Sequence, residues 1–222
     1  MKDNILQRIR DETADLPLDE LPARIGSFEL NITASVDESS MEIFNYNSIA
    51  RHCTVSALYD DSTHEYKIRI RLGLSERCLS KFFDRNPKIF FERFKAELNT
   101  TLERLDKNDS DTDSFISKLA LNKWDYGNNL PNMICGFELF IKPSAPVEFT
   151  NGSFIIINYV DFAQARDLVI CYNIFSDEFS AEARINGHTR VLYDFDSKTL
   201  PELEQVLDDK LEGCLARTLV TD

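Results

Sequence analysis

The segments LPARIGSFELNI, residues 21–32, and LPNMICGFELFI, residues 130–141, share Leu, Pro, Ile, Phe, Glu, Leu and Ile without a gap at an offset of 109. Self-similarity at so long a period is what a duplicated structural unit leaves in a chain. The flanks extend the match in chain order. Ile5, Leu6 and Ile9 are echoed by Phe115, Ile116 and Leu119, and Asn45, Tyr46 and Ala50 by Asn158, Tyr159 and Ala163. Arg69 and Ile70 align with Arg184 and Ile185, and Leu98 and Leu102 with Leu211 and Leu215, so the offset drifts only from 109 to 115. Loop insertions between two copies produce such a drift.

Periodicity predicts the same elements in each half. Ile5, Leu6 and Ile9 make one apolar stripe, so residues 3–14 read as a helix. Phe28, Leu30 and Ile32 alternate with Glu29 and Asn31, which predicts a strand over 27–35 with one buried face. Residues 51–59 and 65–73 flank the polar DDSTHE turn as a β-hairpin. Asn86 and Pro87 open a helix over about 87–106, with Phe90, Phe91, Phe94, Leu98, Leu102 and Leu105 at helical spacing. KNDSDTD, residues 107–113, is the natural joint.

In the second half the pattern predicts a helix at about 114–122 and strands near 134–142, 153–160, 167–175, 180–186 and 189–195. The Asn186-Gly187 pair is a tight-turn signal. A closing helix follows, opened by Thr199, with Leu203, Val206, Leu207, Leu211, Cys214 and Leu215 on one stripe. The fold class is therefore α+β, an internal tandem duplication of a helix–antiparallel strands–long helix unit with its sheets covered by helices. The repeats are 1–110 and 111–222. Phe28, Leu30 and Ile32 should match Phe137, Leu139 and Ile141 on buried faces. A half of roughly 110 residues with two amphipathic helices has limited means to cover both faces of its sheet, so one pseudo-symmetric globular unit is expected.

Composition narrows the function. The formal charge of −13, from 38 acidic and 25 basic residues, opposes a nucleic-acid binder, which needs clustered Lys and Arg. Five cysteines without CxxC spacing suit reduced, buried thiols in a reducing compartment. The charged start MKDNILQRIRDETADL reads as neither signal peptide nor anchor, and no apolar run has the length of a membrane span. A cytoplasmic protein is expected.

Catalytic and ligand motifs are absent. His52 and Cys53 are strand neighbours and point to opposite faces; His64 and His188 lie in or after turns. Asp109, Asp111 and Asp113 alternate as in a calcium loop, yet Ser114 and Ala120 stand where that loop needs Gly and an acid. No Gly-rich phosphate loop, CxxC or HExxH occurs, so neither cofactor nor metal is expected. Asp60-Asp61, Asp177-Glu178 and Asp208-Asp209 read as solvated charge.

Lys67, Arg69 and Arg71 are the exception, because alternation sets all three on one strand face. The first half, with 16 basic and 20 acidic residues, is net −4; the second, with 9 and 18, is net −9. These three residues are the candidate binding site for an acidic partner, set against the plainer reading of a solvated strand face. The reading favoured is a non-catalytic protein-interaction module, an adaptor, chaperone or inhibitor, whose partner is another protein; a homodimer is compatible with it. The alternative is an enzyme or small-ligand binder with a pocket between the repeats, near Lys123, Trp124, Asp125 and Tyr126.

Overall fold

Seven-stranded antiparallel sheets form twice along this chain, with α-helices at their flanks, giving a mixed α+β protein. The computed structural model describes residues 2–32, 35–36, 39–107, 119–150, 152–185 and 187–218, with the backbone alone at 2–6, 107, 217 and 218. The chain divides into two compact units, 1–107 and 108–222. Most of the expected joint, the first part of the helix expected at 114–122 and Asn186 lie outside the described residues.

The first unit runs α1 (Lys2–Thr13), β1 (Arg24–Ile25), β2 (Phe28–Asn31), β3 (Ser35–Val36), β4 (Ser40–Ser48), β5 (Cys53–Asp60), β6 (Glu65–Leu72), β7 (Ser75–Cys78) and α2 (Pro87–Lys107). Its strand order is β1-β2-β4-β5-β6-β7, with β3 also on β4. Asn86 caps α2: its Oδ1 accepts from Lys88 N at 2.9 Å and Ile89 N at 3.2 Å, satisfying donors that the first helical turn leaves free.

The second unit runs from α3, a single turn at Asp125–Asn128, through β8 (Met133–Ile134), β9 (Phe137–Ile141), β10 (Val147–Thr150), β11 (Ser153–Asp161), β12 (Arg166–Asn173), β13 (Glu178–Ile185) and β14 (His188–Val191) to α4 (Leu200–Thr218). The order is β8-β9-β11-β12-β13-β14, with β10 on β11. Thr199 Oγ1 accepts from Glu202 N at 3.3 Å, while Glu202 reaches back to Lys198 N at 2.8 Å, in the manner of a capping box.

Hydrogen-bond register matches the units over most of their ladders, the pair of Asn158 with Ile141 being shifted by one residue from that of Asn45 with Asn31. Ile25 pairs with Phe28 and Ile134 with Phe137, an offset of 109. Both hairpins turn through positive φ, Gly26 at +57° and Cys135-Gly136 at +50° and +89°, as primed turns require. Ser48 pairs with Cys53 and Asp161 with Arg166; Cys53 pairs with Leu72 and Arg166 with Ile185, all at an offset of 113. Arg184 therefore stands where Arg71 does, and Ile185 where Leu72 does, which corrects the sequence pairing of Arg69-Ile70 with Arg184-Ile185. Even a side-chain bond recurs, with Tyr46 Oη donating to Pro22 O at 2.8 Å and Tyr159 Oη to Pro131 O at 2.7 Å.

One face of each sheet shares a core cluster with its long helix. Phe44 lies 6.0 Å from Phe94 and 6.4 Å from Phe91 between ring centroids, and Tyr66 lies 5.7 Å from Phe90. In the second unit Leu203, Leu207, Leu211 and Leu215 of α4 join Tyr159, Leu168, Ile170 and Tyr172. Three expectations change. Ile32 falls past the end of β2 and is 50% exposed, whereas Ile141 is buried. Strand β4 went unread because a register shift between Glu42 and Phe44 puts Ile43 and Phe44 consecutively into the core and breaks alternation. Of the cysteines, Cys53 is buried and Cys171 and Cys214 half-buried, but Cys78 and Cys135 are exposed; all are free thiols.

Candidate functional site

The sheet face turned away from α2 carries the expected basic residues, and pairing lays them out in rows. Asn31 stands opposite Asn45, Asn45 opposite Ser56, and Ser56 opposite Arg69. The adjacent row reads Glu29, Asn47, Thr54, Arg71 and Glu76. Of these, Asn31, Asn45, Ser56, Arg69, Asn47, Thr54 and Arg71, with Glu42, surround a shallow pocket of about 340 Å³. Asn31 Nδ2 donates to Asn45 Oδ1 at 3.2 Å, Thr54 Oγ1 to Asn47 Oδ1 at 2.9 Å and Asn45 Nδ2 to Glu42 Oε1 at 2.6 Å. A lattice of that kind holds the donors in place without help from the core.

The three candidate residues share this face but not one role. Lys67 is buried, and its Nζ donates to Asp60 Oδ2 at 2.8 Å and lies 5.0 Å from the Phe83 ring centroid. It is a structural ion pair and does not line the pocket. Arg71 is half-exposed and donates to Glu76 at 3.2 Å. Arg69 lines the pocket and has no carboxylate partner among the described residues. An unpaired guanidinium beside fixed amides and hydroxyls suits a carboxylate-bearing ligand.

A second depression, about 640 Å³, lies within the other unit between the Lys123–Tyr126 segment and α4. Trp124 and Tyr126 form one wall, their ring centroids 6.0 Å apart. Trp124 Nε1 donates to Glu204 Oε2 at 3.1 Å, and Tyr126 donates to Asp208. Burial, then that bond, pushes the Tyr126 phenol well above its ordinary range.

The remaining titratable groups do not converge on either pocket. Burial pushes the Cys53 thiol up to about 12, against the pull of Arg77 and Arg51, so it faces the core as a protonated thiol and not as a nucleophile. His64 Nδ1 is 3.2 Å from Tyr59 Oη, in a turn, and His188 is exposed on edge strand β14. Asp60, Asp177 and Asp208 are more than solvated charge: they accept from Lys67, Tyr172 and Tyr126 respectively. Among the described residues no group of three or more His, Cys, Asp or Glu is placed to hold a metal, and no helix is long and apolar enough to cross a membrane.

Sequence reasoning named Arg69 and Arg71, which line this pocket, but not the Asn31, Asn45, Asn47, Thr54 and Ser56 rows. Those side chains meet only through cross-strand register, which no local pattern encodes. No protein-family model, curated protein or solved structure matches the chain.

Proposed function

We propose that the two units are copies of one helix–antiparallel strands–long helix unit, each sheet covered on one face by its helix, and that the chain is a non-catalytic protein-interaction module. The first unit takes an acidic segment of another protein on its polar sheet face, in a reducing compartment such as the cytoplasm. The observation that carries the reading is the ordered polar face with Arg69 at its pocket, without a carboxylate partner among the described residues. A sheet face that served only solubility would neutralise its guanidinium groups with cross-strand carboxylates, as Arg71 does with Glu76. The duplication is supported by the matched strand orders and by registers held at offsets of 109 and 113.

Affinity capture with wild-type bait beside an R69E/R71E bait tests the reading. Lys67 is left intact, because removing it would strand Asp60. A partner with an acidic segment retained by the wild type and lost from the variant, with both baits melting alike, is the expected result. Identical partners on both baits would remove this face as the site.

A further inference from the structure

We propose that the groove between the Lys123–Tyr126 segment and α4 is a docking site for a basic amphipathic helix of a partner protein. Its walls differ in character. Trp124, Tyr126, Leu207 and Leu211 supply apolar and aromatic surface, while Asp125, Glu204, Asp208 and Glu212 supply four carboxylates against the single ammonium of Lys123. Such a lining rejects a purely apolar occupant, which would strand the carboxylates, and rejects an acidic one by repulsion. Lys and Arg satisfy both walls, since their methylene stems pack on apolar surface and their heads meet carboxylates and aromatic faces.

The spacing sets the form of the occupant. Glu204, Asp208 and Glu212 are four residues apart on α4, which places successive carboxylates about 6 Å from one another along its axis. A neighbouring helix with Lys or Arg at i, i+4 and i+8 repeats that interval. Trp124 and Tyr126 hold two of the three carboxylates by hydrogen bonds, so the acceptors are fixed before a ligand arrives.

The matched positions of the first unit are closed. Phe91 stands where Glu204 does and is 1% exposed, and Lys95, in place of Asp208, lies over the Phe91 ring and is paired with Glu20. The buried stripes of the two helices, Phe90, Phe94, Leu98 and Leu102 against Leu203, Leu207, Leu211 and Leu215, equate these residues at the offset of 113 also seen in the strands. The second unit thus replaces a filled, neutralised seam with an acidic, aromatic groove.

Trp124 is the only tryptophan in the chain, so its fluorescence reads occupancy of this site alone. The probe is a synthetic amidated peptide of Leu and Lys at amphipathic-helix spacing, titrated into the full chain at low salt beside a Leu and Glu peptide of the same pattern. The expected result is a saturable change in Trp124 emission with the Lys peptide, weakened by salt, and none with the Glu peptide. The E204Q/D208N/E212Q variant keeps one acceptor oxygen at each position while removing the charge, and should lose about tenfold in affinity, three partly exposed ion pairs being worth roughly that. A D15N/D19N/E92Q variant, which removes as much charge from exposed positions of the first unit, should bind as the wild type does. Equal weakening in both variants, an equal response to the Glu peptide, or no saturable change with the Lys peptide overturns the proposal. So does a response to spermine without one to the Lys peptide.

Discussion

The two sheets agree on the face toward their helices and disagree on the other. Where the first has Ser56, Asn47 and Thr54, the second, at an offset of 113, has Val169, Val160 and Asp167. The first face is a hydrogen-bonded polar lattice around a pocket; the second buries Val160, Val169 and the ion pair of Asp167 with Arg184. The helix-side face is constrained by packing, where a lost methylene is felt. The far face answers to a weaker constraint, and the two units differ at each of these three positions.

Arg71 and Arg184 give the sharpest test, because the same residue holds the same register position in opposite settings. Arg184 donates from Nε and Nη2 to both oxygens of Asp167, at 3.0 and 2.8 Å, and Asp167 is fully buried. Arg184→Ala leaves that carboxylate buried and unpaired, an expected loss of about 3–5 kcal/mol in urea unfolding followed by Trp124 emission. Arg71 and Glu76 are both half-exposed, so Arg71→Ala should cost less than about 1 kcal/mol. Equal costs would mean that the two faces do not differ in kind.

Asp60 and Lys67 form the converse case, an ion pair of the first unit replaced at matching positions by Asn173 and Ser180. Burial raises the Asp60 carboxyl, but hydrogen bonds from Lys67 and Ser62 outweigh it and hold the pKa at about 2, below the ordinary 3.8. A carboxyl depressed in the folded state contributes stability that is complete above its unfolded pKa and is lost as pH falls toward the folded one. The contribution therefore fades between about pH 4 and pH 2. Asp60→Asn should cost about 2 kcal/mol at neutral pH by leaving the buried Lys67 ammonium with only the Glu65 carboxylate, 3.9 Å away, and should flatten the acid limb of stability across that window when followed by circular dichroism. An acid limb unchanged by the substitution would show that Lys67 draws its compensation elsewhere.

How much of this the sequence revealed follows from which interactions are local. The helix stripes and caps were readable because Asn86 and Thr199 meet donors two or three residues away. The matching hairpins were readable because LPxxIxxFELxI spans one in each unit. Strand β4 was not, since the Ile43-Phe44 bulge scrambles its period, and the polarity of the far faces was not, since it emerges only when five strands align. The groove at Trp124 was half visible: the Lys123–Tyr126 segment stood out for its aromatics, but its partners on α4 lie about 80 residues away, beyond any local pattern.

Arg69 carries the smallest expected effect on the fold. Its cross-strand neighbours are Ser56 and Cys78, both uncharged in the folded protein, and it has no carboxylate partner among the described residues; the matching position of the second unit is Glu182. If the first sheet keeps a guanidinium there for folding, reversing its charge must cost as breaking a real contact does. If it keeps one for a ligand, Arg69→Glu should leave the unfolding midpoint within about 0.5 kcal/mol of wild type while abolishing retention of the acidic partner. A loss above about 1 kcal/mol would return Arg69 to the fold, and with it the claim that the polar face of the first unit is maintained for something other than stability.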